Sequence, residues 1–352
     1  MPKVKSFNDT SAVSLAYGIS DLDSKSDFVG AAKIPMSLIP FTTEGFAMQK
    51  EAKSSTAIRG NRRTSGSKNT KGSANGALTL EFGATQFVLD MLALISLSNW
   101  KDIDPATPAL GKYLVDGETK KYMVVEKTMR TGPAPTDRLD HEWYFGTIMN
   151  DATMEFGDGE LITLAMNTMS ANADYASALA GADGLGGSIA TAKTTPANYE
   201  IADSSNNLSK IEITDAANKV MEVTWSDASF QIQNNAREQS GLGHQFAAGI
   251  GLGKVAATFS GTIYYYDQAI LDAHMKNKRV SLKTTIATAE GTFTIRMPNL
   301  MAQAPTNNAE SENTDFSTAL TLQAEAGTLD IGTNLKVPCI FCIEYVPTPV
   351  AP

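Results

Sequence analysis

The feature that most restricts the fold is a strand, loop, strand, helix unit that occurs twice along the chain. The later copy runs from Phe230 to Asn277, FQIQNNAREQSGLGHQFAAGIGLGKVAATFSGTIYYYDQAILDAHMKN. Alternation at Phe230–Ile232 and Ala257–Tyr266 predicts two strands, and Asp267 is expected to cap a short helix carrying Ile270, Leu271 and Met275. Gly241, Gly243, Gly249, Gly251 and Gly253 stand between the strands, where glycine lets a long hairpin bend. The earlier copy, Phe46 to Leu94, has the same order. Phe46, Gln49, Ala52 and Lys53 fall in step with Phe230, Gln233, Ala236 and Arg237. Gly76 falls in step with Gly261, and Leu78, Leu80 and Phe82 with Ile263, Tyr265 and their neighbours. Leu89-Asp90 and Leu271-Asp272 then mark the two helices. A unit repeated in layout with little identity reads as a structural duplication.

Alternation elsewhere predicts strands in Ile34–Lys50, Tyr122–Glu126, Trp143–Phe156 and Leu161–Met166, the last two joined around Gly157-Asp158-Gly159. Further strands are expected in Ile211–Ile213, Val220–Trp225, Val280–Ile286, Gly291–Met297, Leu320–Leu322 and Val337–Val346, with a polar loop over Ala302–Thr314. One helix per copy, Ala84–Leu94 in the first, is too few for an α/β sheet. The fold class is therefore mainly β: two tandem β-sandwich or barrel domains, each flanked by one helix. Residues 1–30 read as an N-terminal arm, 31–170 as the first domain, 171–207 as a linker or insertion, and 208–352 as the second domain.

A net charge of −9 argues against a general nucleic-acid binder that neutralises phosphates. The exception is the stretch Ser54–Ser73, which carries Arg59, Arg62, Arg63, Lys68 and Lys71 and no acidic residue. It lacks the interleaved aromatics of a nucleic-acid platform. A solvated loop is the plain reading; a contact docking on an acidic surface of a neighbouring subunit is the preferred one.

Chemistry is conspicuously missing. The glycine loop fails as a phosphate loop, since Ala248 takes the leading position and Val255 follows Lys254. His141, His244 and His274 lack metal-ligand spacing, and no carboxylate pair or nucleophile elbow stands out. Cys339 and Cys342 read as buried cysteines on opposite faces of one strand. No enzyme activity, metal or organic cofactor is expected. The start of the chain lacks the apolar core of a signal peptide, and Phe87–Leu97 is too short and too polar at Asp90 to cross a membrane. Membrane insertion is not expected.

Four features in order carry a resemblance: SSTAIRGNRRTSG before GALTLEFG, Trp100 after the first helix, SFQIQNNAREQSGLG, and GTIYYYDQAILDAHM. Over roughly Ala31–Val346 the chain resembles the tail tube proteins (major tail proteins) of long-tailed bacteriophages. It departs from them in 171–207, which is longer and richer in alanine and glycine. The resemblance implies a structural virion protein, made in the host cytoplasm, that polymerises into stacked rings. The hollow tail tube so formed passes genome DNA at ejection, with tape measure and terminator proteins as further partners. Arg59, Arg62, Arg63, Lys68 and Lys71 would then form an inter-ring contact loop. Leu78, Leu80, Phe82, Ile263, Tyr264, Tyr265 and Tyr266 would mark the barrel strands. If each domain is of tube type, three chains make a ring of approximate sixfold symmetry; if the chain is one domain, six are needed. Three is the expectation. A secreted β-rich adhesin or pilin-like subunit is the rival, and would form thin fibres. A carbohydrate-binding module would need Tyr264–Tyr266 exposed as a sugar platform.

Overall fold

A computed structural model describes residues 12–22, 24, 27–28, 33–57, 66–131, 136–182, 185–265, 268–308, 315–332 and 335–349. The chain opens with β1 (Val13–Ile19), β2 (Ile34–Leu38), β3 (Thr43–Glu44), β4 (Ala47–Ser54), β5 (Ser67–Glu81) and helix α1 (Gln86–Ile95). There follow β6 (Lys101–Asp102), β7 (Lys112–Val115), β8 (Met123–Arg130), β9 (Arg138–Gly157), β10 (Thr163–Leu179) and β11 (Ala190–Thr194). Beyond lie β12 (Glu212–Asp215), β13 (Val220–Met221), β14 (Trp225–Gln233), β15 (Arg237–Gln239), β16 (Gly249–Gly251), β17 (Ala256–Tyr264) and helix α2 (Ala269–Met275). The chain closes with β18 (Arg279–Ala287), β19 (Gly291–Asn308), β20 (Ser317–Ala324), β21 (Gly327–Ile331), β22 (Leu335–Cys339) and β23 (Cys342–Pro347). The fold is mainly β.

The repeated unit has a repeated topology. In the first copy the spatial order is β4–β5–β10–β9, and in the second it is β14–β17–β20–β19, antiparallel throughout. Each copy inserts its helix after the second strand, and the helices pack on the equivalent strands, α1 on β9 and α2 on β19. The two four-strand sets join directly, because β14 pairs with β9 from Asp227↔Gly157 to Gln233↔Asp151. One apolar cluster runs beneath both sets, from Leu15 to Ile343.

Local chemistry explains the helices. Thr85 caps α1, its hydroxyl accepting from the Val88 N–H at 3.2 Å, and Phe87, Val88, Met91, Leu92, Leu94 and Ile95 are buried. In α2 the N-cap residue is Gln268, which makes no side-chain cap bond. The expected cap, Asp267, lies outside the described residues.

The register corrects one alignment. Ala47 pairs with Asn75, which sets Phe46 beside Gly76, and a Cβ on Gly76 would stand 2.3 Å from the Phe46 ring. In the second copy Phe230 pairs with Phe259, and Gly261 lies across from Ala228. Gly76 is thus the counterpart of Phe259, and Gly261 answers a separate need, since a Cβ there would meet the Asp227 carbonyl at 2.2 Å. Two unrelated glycines had invited the match.

Four other expectations change. Residues 13–19, read as part of an arm, form β1 between β2 and β8, because Leu15 and Tyr17 fill one core while Ala16 fills another. The stretch read as a linker or insertion begins as strand: β10 continues to Leu179 along β9, and β11 adds in parallel to β2. Alanine and serine hid the alternation there, being small on both faces. The polar loop over Ala302–Thr314 is strand as far as Asn308, paired to β20. Lys68 and Lys71 belong to β5, whose polar first half is held by its ladder to β4 and has no apolar period to betray it.

The cysteines also differ in detail. The chain bends between them at Ile340 and Phe341, so they end one strand and begin the next. Both are free, buried, and part of one small cluster with Tyr113, Val115, Ile331 and Val337.

Candidate functional site: a polar sheet face between two unpaired edges

Strand alternation gives the joined sheet two unlike faces. One face points Leu78, Leu80, Leu164, Met154, Phe230, Phe259 and Leu322 into the core. The other is polar and open. Thr79, Ala165, Thr153, Gln231, Thr258 and Gln323 form one continuous register line across β5, β10, β9, β14, β17 and β20. Glu81, Thr163, Glu155, Ser229, Ser260 and Thr321 form the next. Side chains bond across strands: the Gln231 amide donates to the Thr153 hydroxyl at 3.2 Å, the Asn167 amide to the Asp151 carboxylate at 2.7 Å, and Ser229 meets Ser260 at 3.0 Å.

The electrostatics of this face are one-sided. Across 75–81, 151–157, 163–169, 227–233, 256–264 and 317–323 there are four carboxylates, Glu81, Asp151, Glu155 and Asp227, and no lysine or arginine. Hydroxyl, amide and alanine side chains make up most of the rest.

The edges of the sheet carry equal information. β9 gives one edge wholly to β10; its other edge takes β8 along Leu139–Thr147 and β14 along Asp151–Gly157. β19 is built alike, with β20 along Leu300–Asn308 on one edge and β18 along Thr292–Met301 on the other. Beyond Met301 that second edge has no partner strand among the described residues, although the His274 ring donates to the Ala302 carbonyl at 2.8 Å. At the far side of the sheet β3 and β4 pair, among the described residues, with β5 alone. Each vacancy is the counterpart of a position filled at the β9–β14 joint.

A second constellation is buried. Glu126, fully enclosed, accepts from Lys193 at 2.5 Å, Ser188 at 2.8 Å, the Trp143 indole N–H at 2.8 Å and the Ile189 backbone N–H at 3.1 Å. Thr128 donates to it at 3.2 Å, and His141 Nδ1 stands 3.3 Å away while its Nε2 donates to Gly186 O at 2.8 Å. Burial pushes the Glu126 carboxyl up, but the hydrogen bonds from His141 and Lys193 and the Lys193 charge outweigh it and hold it well below the usual carboxylate range. This network clasps residues 185–194 onto β8 and β9. Sequence reasoning missed it, because its members are scattered between Glu126 and Lys193 and share no spacing.

The named residues distribute as follows. Leu78, Leu80, Phe82 and Ile263 face the core, and Tyr264 is 42% exposed at the end of β17. Tyr265 is half-buried with its ring 4.7 Å from Phe316, while Tyr266 lies outside the described residues. Lys68 is exposed on β5, and Lys71 makes an ion pair with Glu238 at 2.9 Å. Arg59, Arg62 and Arg63 lie outside the described residues. Among the described residues no group of three His, Cys, Asp or Glu side chains could hold a metal ion. Nor is any helix among the described residues long and apolar enough to cross a membrane.

The sequence model of a family described as phage tail tube protein matches residues 9–326. A search of curated proteins finds no match.

Proposed function

Because the chain belongs to the phage tail tube protein family, we propose that three copies close into a ring whose lumen is the polar sheet face, and that such rings stack into a hollow conduit for genome DNA. The protein is a structural component of the virion tail, working with other tail proteins. Tape measure and terminator proteins are the partners expected from that role.

The observation that carries the reading is the β9–β14 joint. It welds two copies of one four-strand motif inside a chain, and the same joint is left half-made at each end of the sheet. An unpaired edge of this kind invites a strand of complementary direction. β3 and β4 of one chain fit the vacancy on β19 of the next, and repetition closes the ring without a free edge. The register follows. Ser73 and Ala256 each stand twelve residues before their helix cap and pair with Gln49 and Gln233. Thr79 and Thr262 each stand six residues further on, and their ladders lead through Ala165 to Thr153 and through Ala319 to Thr306. Thr153 pairs with Gln231, two residues before Gln233, so Ala47 of one chain, two residues before Gln49, meets Thr306 of its neighbour. Over the six strand segments of the polar face the wall carries carboxylates and no lysine or arginine, which lets phosphate pass without holding it.

Stacking falls to the basic hairpin. Between Ala47 and Lys71 there are seven basic residues and one acidic one, Glu51. The described strands of this hairpin leave the sheet at the end opposite the Gly157–Leu161 turn, where Asp158 and Glu160 are exposed without a cationic partner among the described residues. Changing Arg59, Arg62 and Arg63 together to Glu is expected to leave thermal unfolding within about 0.5 kcal/mol of the parent, as for surface changes. Tube formation in electron micrographs should be lost, and in the parent it should weaken with salt. Normal hollow tubes from the triple variant would remove the loop from stacking, and thin solid fibres from the parent would favour an adhesin or pilin-like subunit.

A further inference from the structure

We infer that an ion pair between Lys254 of one chain and Glu51 of the next ties neighbouring subunits together, as a twin of the Lys71–Glu238 pair within the chain. The inference rests on the ring reading above and adds a partner surface to it.

Within the chain, the β4–β5 hairpin leans on the loop that follows β14. Lys71 reaches Glu238 at 2.9 Å, and the Gly72 N–H donates to Gln245 O at 2.7 Å, so side chain and backbone both span the gap. The gap exists because β9 and β10 turn away below the bulge. β10 pairs with β5 only as far as Met169↔Asn75, then follows β9 alone to Leu179. The hairpin and the 237–251 ribbon are left to meet each other.

The second copy repeats every part of this arrangement except the partner. Lys254 stands fourteen residues before the α2 cap, as Lys71 stands fourteen before the α1 cap. β20 likewise ends at Ala324 while β19 departs with β18 and β23. Lys254 is exposed and makes no ion pair among the described residues. In the ring it faces the free flank of the next chain's hairpin, where β4 takes the part of the chain following β14.

Glu51 is the single carboxylate on that hairpin, and it too is exposed and without a cation among the described residues. It lies two residues past Gln49, whereas Glu238 lies five past Gln233. The difference has a local cause. β4 carries a register shift between Lys50 and Ala52, while the route to Glu238 breaks at Asn235 with φ +48°. Lys53 follows Glu51 by two residues and Arg237 precedes Glu238 by one, so each carboxylate has a cation close by in the sequence.

The test is a charge exchange read on two scales. Glu51→Lys and Lys254→Glu are each expected to raise the protein concentration needed for assembly, at low salt, by about three- to tenfold. The double variant should return within about twofold of the parent. An Ala47→Cys, Thr306→Cys background reports ring closure separately, as covalently linked chains on a denaturing gel. If that link forms and the double variant assembles no better than the single ones, the ion pair is refuted and the ring stands. Single variants that assemble like the parent refute it equally. If the link never forms, the ring reading falls and the ion pair with it.

Discussion

Glu126→Ala is expected to lower the unfolding free energy by about 3–5 kcal/mol, a large part of the stability of an ordinary domain. Half-buried Lys193 and buried His141 would be left beside an empty carboxylate site, and the Ser188, Ile189 and Trp143 donors would lose their acceptor. Glu126→Gln keeps one acceptor and the volume, and should fall between parent and alanine variant. The pH dependence has a definite sign. A carboxylate whose folded pKa is held below its unfolded value of about 4.3 contributes stability that is fully present above that value. The contribution fades as pH falls through and below the ordinary carboxylate range, and rising pH does not remove it. Urea titrations at pH 7 and pH 3 measure both effects. A loss under about 1 kcal/mol at pH 7, or an equal loss at both values, would mean that the network does not hold 185–194 in place.

The cysteine pair Ala47→Cys with Thr306→Cys is expected to link chains almost completely under oxidation, with a three-chain species as the end point. The template for this contact is Gln231 opposite Thr153. The Asn234 N–H donates to Asn150 O at 2.7 Å, which makes the adjacent Gln233–Asp151 pair, and by alternation Gln231–Thr153, a non-hydrogen-bonded one. Such pairs have Cα atoms about 4.5 Å apart, within the span of a disulfide. The native thiols do not compete. Cys339 is buried and pushed up to about 12, and Cys342 is pushed up further by its own burial and by Glu344. Monomer that stays unlinked while tubes form would place the joint elsewhere.

What the sequence disclosed depended on contrast. The strands with apolar and polar residues in strict alternation, such as Val280–Ile286 and Leu78–Phe82, were legible, as were both helices and their place after the second strand of each copy. The order of elements in the repeat was legible for the same reason. Spatial order was not, because pairing β10 beside β5 and β14 beside β9 is a long-range choice that leaves no local trace. Strands of alanine, serine and lysine escaped notice, since both faces read alike. The candidate surface was half visible. An acidic chain with one basic loop could be read directly, but which acids share a face needed the register that sets Asp151, Glu155 and Asp227 together. Glu126 sits in a strand whose neighbours Val124 and Val125 are both buried, so alternation marked no face for it.

The central claim is that each chain supplies two equivalent four-strand units to a closed wall. A reconstruction of the assembled tube measures this most directly. The account predicts three chains per ring, with the Tyr264 strand β17 and the Leu78–Leu80 strand β5 alternating around the lumen, and β4 of each chain paired to β19 of its neighbour. Six symmetry-equivalent copies of β17 in one ring, or a lumen lined by the opposite face of the sheet, would contradict it.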